Sequence, residues 1–180
     1  MISNLSIFLS ALIAVFSPAL LFSANSADNV SAIHARDVEY DGTKIRLAGD
    51  VFIENHLGQI FCDKATLQLP SGDESMVKGL SPENIWLQGH VKIKLPDGAS
   101  LTANEADINC IELEGLFTAI PPDKVIYITH MQDGKQRIPV KTSSNAMRLK
   151  LKRVEDSSQY EISDVKGEGS VAIEYQNPLK

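Results

Sequence analysis

The side chains able to do chemistry in this 180-residue sequence are four histidines, two cysteines and dispersed carboxylates, and their spacing assembles no catalytic centre. A bound transition metal takes ligands at short, fixed intervals such as His-x-x-x-His, whereas His34, His56, His90 and His130 each stand alone, with no second ligand close in sequence. Solvated strand or turn positions suit them better. Serine occurs without a Gly-x-Ser-x-Gly elbow, and Gly167-Glu168-Gly169 leads into no helix whose N-terminus could hold a phosphate. Asp63 and Glu105 read as polar rim residues rather than as a proton-transfer pair. The expectation is a protein that is not an enzyme, with no catalytic residue, no metal and no cofactor. Cys62 and Cys110 could be joined in an oxidising compartment, but two buried thiols acting as small hydrophobes is the reading adopted.

Composition narrows the class of partner. With 43% hydrophobic residues and ordinary Gly and Pro content, the chain can bury the core of one domain. The 23 acidic against 17 basic side chains give a net charge of −6, which argues against nucleic acid, whose binding rests on Lys and Arg neutralising phosphates.

The N-terminus is set apart. Leu5 to Phe22 is almost wholly apolar, and no Lys, Arg, Asp or Glu precedes Asp28. Pro18 and the small residues from Ser23 to Ala27, with Ala24 and Ser26 where a signal peptidase reads, make residues 1–26 a cleavable secretory signal. An uncleaved membrane anchor is the alternative, since the stretch sits near the lower limit of a spanning helix, roughly 17 residues. Either way the remainder is exported.

Positions beyond the leader are organised by a repeat of about 40 residues. Ile45, Leu47, Gly49, Val51 and Ile53 recur as Ile85, Leu87, Gly89, Val91 and Ile93, and again as Val165, Gly167, Gly169, Val171 and Ile173. A degenerate copy fits between the second and the last, with Val125 and Tyr127 in the first two places and Thr129 in that of the glycine. Each clear copy alternates apolar and polar residues, the pattern of a strand with one buried face. Gly58 and Asp97-Gly98 turn these strands into second ones, so the unit is a hairpin. In the second strands the apolar parity slips once, after Cys62 and after Ala103, which predicts a β-bulge near Asp63-Lys64 and near Asn104-Glu105. Met147, Leu149 and Leu151 continue the later half of the pattern 41 positions after Ala106, Ile108 and Cys110. Ala35 to Tyr40 is a further strand, turned by Asp41-Gly42, while Pro70 to Asn84 and Glu114 to Asp123 read as loops. Roughly nine to eleven strands result. A propeller blade would need four short strands per period, so an all-β, antiparallel two-sheet jelly-roll of repeated hairpins, spanning residues 33–176, fits better.

The runs Ala35 to Gly42, Ile45 to Ile53 and Gly58 to Ala65, with the Gly-x-Val-x-Ile element repeated later, resemble the OstA-like domain of the lipopolysaccharide transport proteins. The resemblance implies a twisted β-jelly-roll that holds the acyl chains of lipopolysaccharide between its sheets and bridges inner and outer membranes. With a cleavable leader it implies a soluble periplasmic member of the LptA type, partnered through sheet-edge pairing by LptC-like and LptD-like proteins, or by further copies head to tail. An anchored LptC-like subunit is the alternative within the pathway, and a structural β-assembly module with no lipid ligand the alternative outside it.

The interior groove so implied is lined by Ile45, Leu47, Val51, Ile53 and Leu67 from the first hairpin. The second supplies Ile85, Leu87, Val91, Ile93, Leu101 and Ile108, and the later repeats Leu149, Val171 and Ile173. On pattern alone these are the core of any jelly-roll; the resemblance is what makes them a lipid site. The basic run Arg148, Lys150, Lys152 and Arg153 reads as a solvated strand face.

Overall fold

The structure, a computed structural model, describes residues 32–55, 58–70, 82–133, 136–153 and 160–175. The leader, His56 and most of the Pro70 to Asn84 connection lie outside the described residues. Alternating sequence becomes strand throughout: β1 (Ala32–His34), β2 (Asp37–Tyr40), β3 (Lys44–Asn55), β4 (Gly58–Gln68), β5 (Asn84–Lys94), β6 (Ser100–Asn109), β7 (Glu114–Thr118), β8 (Val125–Asp133), β9 (Gln136–Ser144), β10 (Ala146–Arg153), β11 (Tyr160–Glu168) and β12 (Ala172–Tyr175). The chain is all-β, and every pairing is antiparallel.

One hydrogen-bonded sheet divides into two arms. The order β3-β4-β5-β6 is common to both, because each of these long strands bends partway. In the first arm β2 pairs the early half of β3, and the late half of β6 leads through β7 and β10 to β11. In the second arm β1 pairs the late half of β3, and the early half of β6 leads through β8 and β9 to β12. Apolar side chains of both arms meet in a single core, which makes the architecture a two-layer jelly-roll.

The repeated glycine makes the bend. Between Leu47–Ala65 and Val51–Cys62, β3 spends one residue more than β4, and β5 does the same between Leu87–Ala106 and Val91–Ala103 on β6. The register breaks where the parity slip places it, but the extra residue sits on β3 and β5 rather than at Asp63-Lys64 or Asn104-Glu105. Gly49-Asp50 and Gly89-His90 oppose single residues there, with φ of +76 and +51, and +73 and +46. A left-handed glycine opening a two-against-one step is a β-bulge that sharpens the local twist. Each bend is covered by a polar side chain from its neighbour: the Arg36 guanidinium lies over Gly49, Asp63 over Gly89 and Asn145 over Gly169.

The third repeat turns its corner differently. Glu114 to Thr118 is a strand rather than part of a loop, and the connection shrinks to Ala119–Lys124, which contains the cis Pro121-Pro122 bond. Asn104 holds this corner, accepting from the Ile120 amide at 2.7 Å and donating to Asp123 at 3.2 Å. Tyr127 pairs with Leu101, which pairs with Ile93, so Val125 and Tyr127 are counterparts of Val51 and Ile53, not of Ile45 and Leu47. The corner spends six residues, Ala119–Lys124, where the first two copies spend only Gly49-Asp50 and Gly89-His90, and this breaks the regular spacing of the copy.

Candidate ligand-binding trough

Strand register stacks the inward side chains into rungs that cross every hairpin. In the first arm, Leu47, Ala65, Leu87, Ala106, Phe117, Met147 and Gly167 lie in successive pairings. Across from them in the second arm run Val51 and Cys62, Val91 and Ala103, Val125 and Ser144, then the position of Val171. Large residues on β3 and β5 meet small ones on β4 and β6, the interdigitation a dense interior requires.

Most of the residues expected from the sequence come together here. Leu47, Val51, Ile53, Leu67, Ile85, Leu87, Val91, Ile93, Leu101 and Leu149 are buried in one cluster, and Ile45 and Ile108 pack against it half-buried. Val171 and Ile173 do not join them: they are 47% and 56% exposed. Among the described residues β12 pairs only with β9, where Ser144 and Thr142 face them, and the first arm places Gly167 beside it, which has no side chain to cover them. A Cβ on Gly167 would lie 3.1 Å from a Val171 methyl, so Val171 leans into the space glycine leaves. The apolar core is buried over the first two hairpins and exposed at the last, where Val165 is also exposed.

Several lining residues escape the sequence reading. Ala65, Ala103 and Ala106, placed by parity but not counted among the lining residues, are buried partners of the larger rungs, and Cys62 is buried as a small hydrophobe, as expected. Phe117 lies in the segment taken for a loop, and Tyr127 and Val125 were shifted in register. The later-half pattern that places Met147 in line with Ala106 does hold, and Met147 is fully buried. Burial raises the Tyr127 phenol, against a hydrogen bond from Thr129.

The polar groups behave as supports. Cys62 and Cys110 are free, and burial pushes each thiol up to about 11. His90 Nδ1 stands 2.8 Å from Asp63 at an exposed bend, and the His34 ring lies 5.8 Å from that of Phe52 on the outer face of the second arm. Arg148 Nη1 donates to Glu114 Oε1 at 2.6 Å, tying β10 to β7; this hydrogen bond holds the Glu114 carboxyl below its usual range and the guanidinium above its own. Lys152 pairs with Glu161 at 2.8 Å across β10 and β11. Among the described residues no group of three or more His, Cys, Asp or Glu could hold a metal ion.

No protein-family model matches the sequence, and no curated protein matches it significantly. Among solved structures it is similar to LptH from Pseudomonas aeruginosa, described as the LptA homologous periplasmic component of the conserved lipopolysaccharide transport device. That match has 10% sequence identity and a TM-score of 0.54 and covers 82% of this chain and 95% of that one. At this identity the likeness is one of fold, an LptA-like β-jelly-roll.

Proposed function

We propose that the chain is an exported carrier of the LptA type, which shields acyl chains of lipopolysaccharide between the arms and helps pass them from the inner to the outer membrane. The observation that carries this reading is the continuous apolar core between the arms, buried over the first two hairpins and left exposed at the last, at Val165, Val171 and Ile173. The lining is the set Ile45, Leu47, Val51, Ile53, Leu67, Ile85, Leu87, Val91, Ile93, Leu101, Ile108 and Leu149, continued by Val171 and Ile173. Each CH₂ taken from water into such a surface contributes about 0.8 kcal/mol, so one acyl tail supplies roughly 10 kcal/mol toward parting the arms. No bond need be made or broken.

Four strands end the sheet, β1 and β2 at one end, both on β3, and β11 and β12 at the other, on β10 and β9; each pairs with a single neighbour among the described residues. Such edges accept further strands, which favours head-to-tail contact with LptC-like and LptD-like proteins or with a second copy. The leader acts as a signal under this reading and delivers the protein to the periplasm; an intact Met1 in the mature protein would instead place it with the anchored LptC-like subunits. The dry interior of the first two hairpins favours one other reading, a β-assembly module that binds no lipid.

Binding of labelled lipopolysaccharide to Val91→Asp and Val171→Asp separates the two. An unpaired carboxylate in an apolar trough costs several kcal/mol, about 2 or more, so both substitutions should cut loading at least tenfold. Val171 is exposed, so its variant keeps the fold. Unchanged loading in folded variants would favour the lipid-free module.

A further inference from the structure

The outward face of the first arm gathers cations on a chain whose net charge is −6. Arg46, Thr66 and Trp86 lie in successive pairings across β3, β4 and β5, and Lys64 pairs with Gln88 one step along. With Lys44 these side chains line an open depression of about 280 Å³, at the small end of ligand sites. No carboxylate lines it among the described residues. Their neighbours along the strands, from Ile45 and Leu47 to Ile85 and Leu87, belong to the core, so the depression faces away from the interior.

The repeat supplies an internal comparison. In the second hairpin the places of Arg46, Lys64 and Thr66 are taken by Trp86, Glu105 and Asp107, while the inward places keep leucine opposite alanine in both copies. The cations are therefore confined to one hairpin, and carboxylates bound them: Glu39 opposite Arg46 and Asp41 on one side, Glu105 and Asp107 on the other. Asp41 takes up part of the Arg46 charge at 2.9 Å, whereas Lys44 and Lys64 make no ion pair among the described residues. The Lys44 ammonium stands instead 5.8 Å from the centroid of the Trp86 ring. Trp86 is the single tryptophan of the sequence, half-buried on the outer face. An indole beside two ammonium groups, with the Thr66 hydroxyl and the Gln88 amide, offers what a charged sugar uses. It has a flat apolar surface for the ring, cations for the acid substituent and hydrogen-bonding groups for the hydroxyls.

We propose that this depression binds a small anionic saccharide, a single sugar ring carrying a phosphate, with Lys44, Arg46 and Lys64 facing the phosphate and Trp86 against the sugar. Three adjacent strands span about 10 Å, and the flanking carboxylates repel anything longer of the same charge, so the site takes one ring rather than a polyanion. Its occupant is a separate molecule from any lipid held between the arms, and the inference stands apart from the carrier reading.

Trp86 reports on its own site. Its emission in the full chain titrated with glucose 1-phosphate should change saturably, with a Kd on the order of 1 mM, and glucose should leave it unchanged. Inorganic phosphate, which has no ring to stack, should bind several-fold more weakly. Lys64 is exposed, so Lys64→Gln keeps the fold, and it should weaken glucose 1-phosphate several-fold. Trp86→Phe, followed by calorimetry with a matching thermal midpoint, should do the same. Val171→Asp, on the other side of the sheet, should leave the titration unchanged. An equal emission change with potassium chloride at matched ionic strength, or unaltered affinity in Lys64→Gln, would overturn the site. Inorganic phosphate binding as tightly as glucose 1-phosphate would overturn the saccharide assignment, and loss of binding in Val171→Asp would place the ligand between the arms and overturn the proposal.

Discussion

Asp41 shows how a single side chain can set a hairpin. Its Oδ1 accepts from the amides of Thr43 at 3.1 Å and Lys44 at 2.8 Å, and Arg46 stands 2.9 Å from its other oxygen. Those amide hydrogen bonds lower its pKa from 3.8 to about 2. The charged form is thus favoured by folding: its contribution is complete above 3.8 and is lost as the pH falls toward about 2. The protection factors of the Thr43 and Lys44 amides, taken against the intrinsic exchange rate at each pH, should fall over that window, and Asp41→Asn should abolish this fall. In the interior, Leu87 is 1% exposed, and Leu87→Ala should cost about 2–5 kcal/mol by lost transfer energy and an unfilled cavity, read as a shift in denaturant midpoint. Both thiols, held up to about 11 by burial, should resist alkylation near neutral pH until the protein is unfolded.

Elements divide into those the local pattern determines and those fixed by contacts distant in sequence. The period-two runs Ile45 to Ile53 and Ile85 to Ile93 carry their own faces, and Asp41-Gly42 and Asp97-Gly98 carry their own turns, so β3, β5 and their hairpins are legible without coordinates. The bulge was legible only as a parity slip on β4 and β6. A slip reports a mismatch between partners, and the strand holding the extra residue was revealed by the left-handed pair at Gly49-Asp50 and at Gly89-His90. β7 was hidden for another reason: Gly115 leaves its inward position blank and Pro121-Pro122 follows within a few residues, so a five-residue strand resembles the loop it enters. The exposure of Val171 and Ile173 follows from the small neighbours Gly167, Ser144 and Thr142, whose place beside them is set by pairings distant in sequence. The bends can be tested by two glycine substitutions. Gly42 has φ +94 and nothing near its missing Cβ, whereas a Cβ on Gly89, at φ +73, would collide with Asp63 Oδ2. Gly42→Ala should cost about 1 kcal/mol from backbone strain alone, and Gly89→Ala about 2–3 kcal/mol, since Asp63 must also leave its place.

At the scale of the molecule, the jelly-roll is a stack with two unlike ends. Val38 and Tyr40 on β2 are exposed at one, and Val165, Val171, Ile173 and Tyr175 on β11 and β12 at the other. Such ends join head to tail more readily than like to like, and Val38→Lys or Ile173→Lys should each lower a concentration-dependent mass in sedimentation by blunting one edge. The two arms give the same object its interior, with aliphatic rungs shared by all hairpins and polar residues such as Arg46, Lys92 and Asp107 turned outward. The account rests on lipid occupying that interior, and photocrosslinkers at Val51, Val91 and Ile108, compared with Arg46, Lys92 and Asp107, measure it most directly. With labelled lipopolysaccharide, adducts should form at the inward three and be absent at the outward three; adducts at the outward positions only, or at none in a folded and active protein, would contradict it.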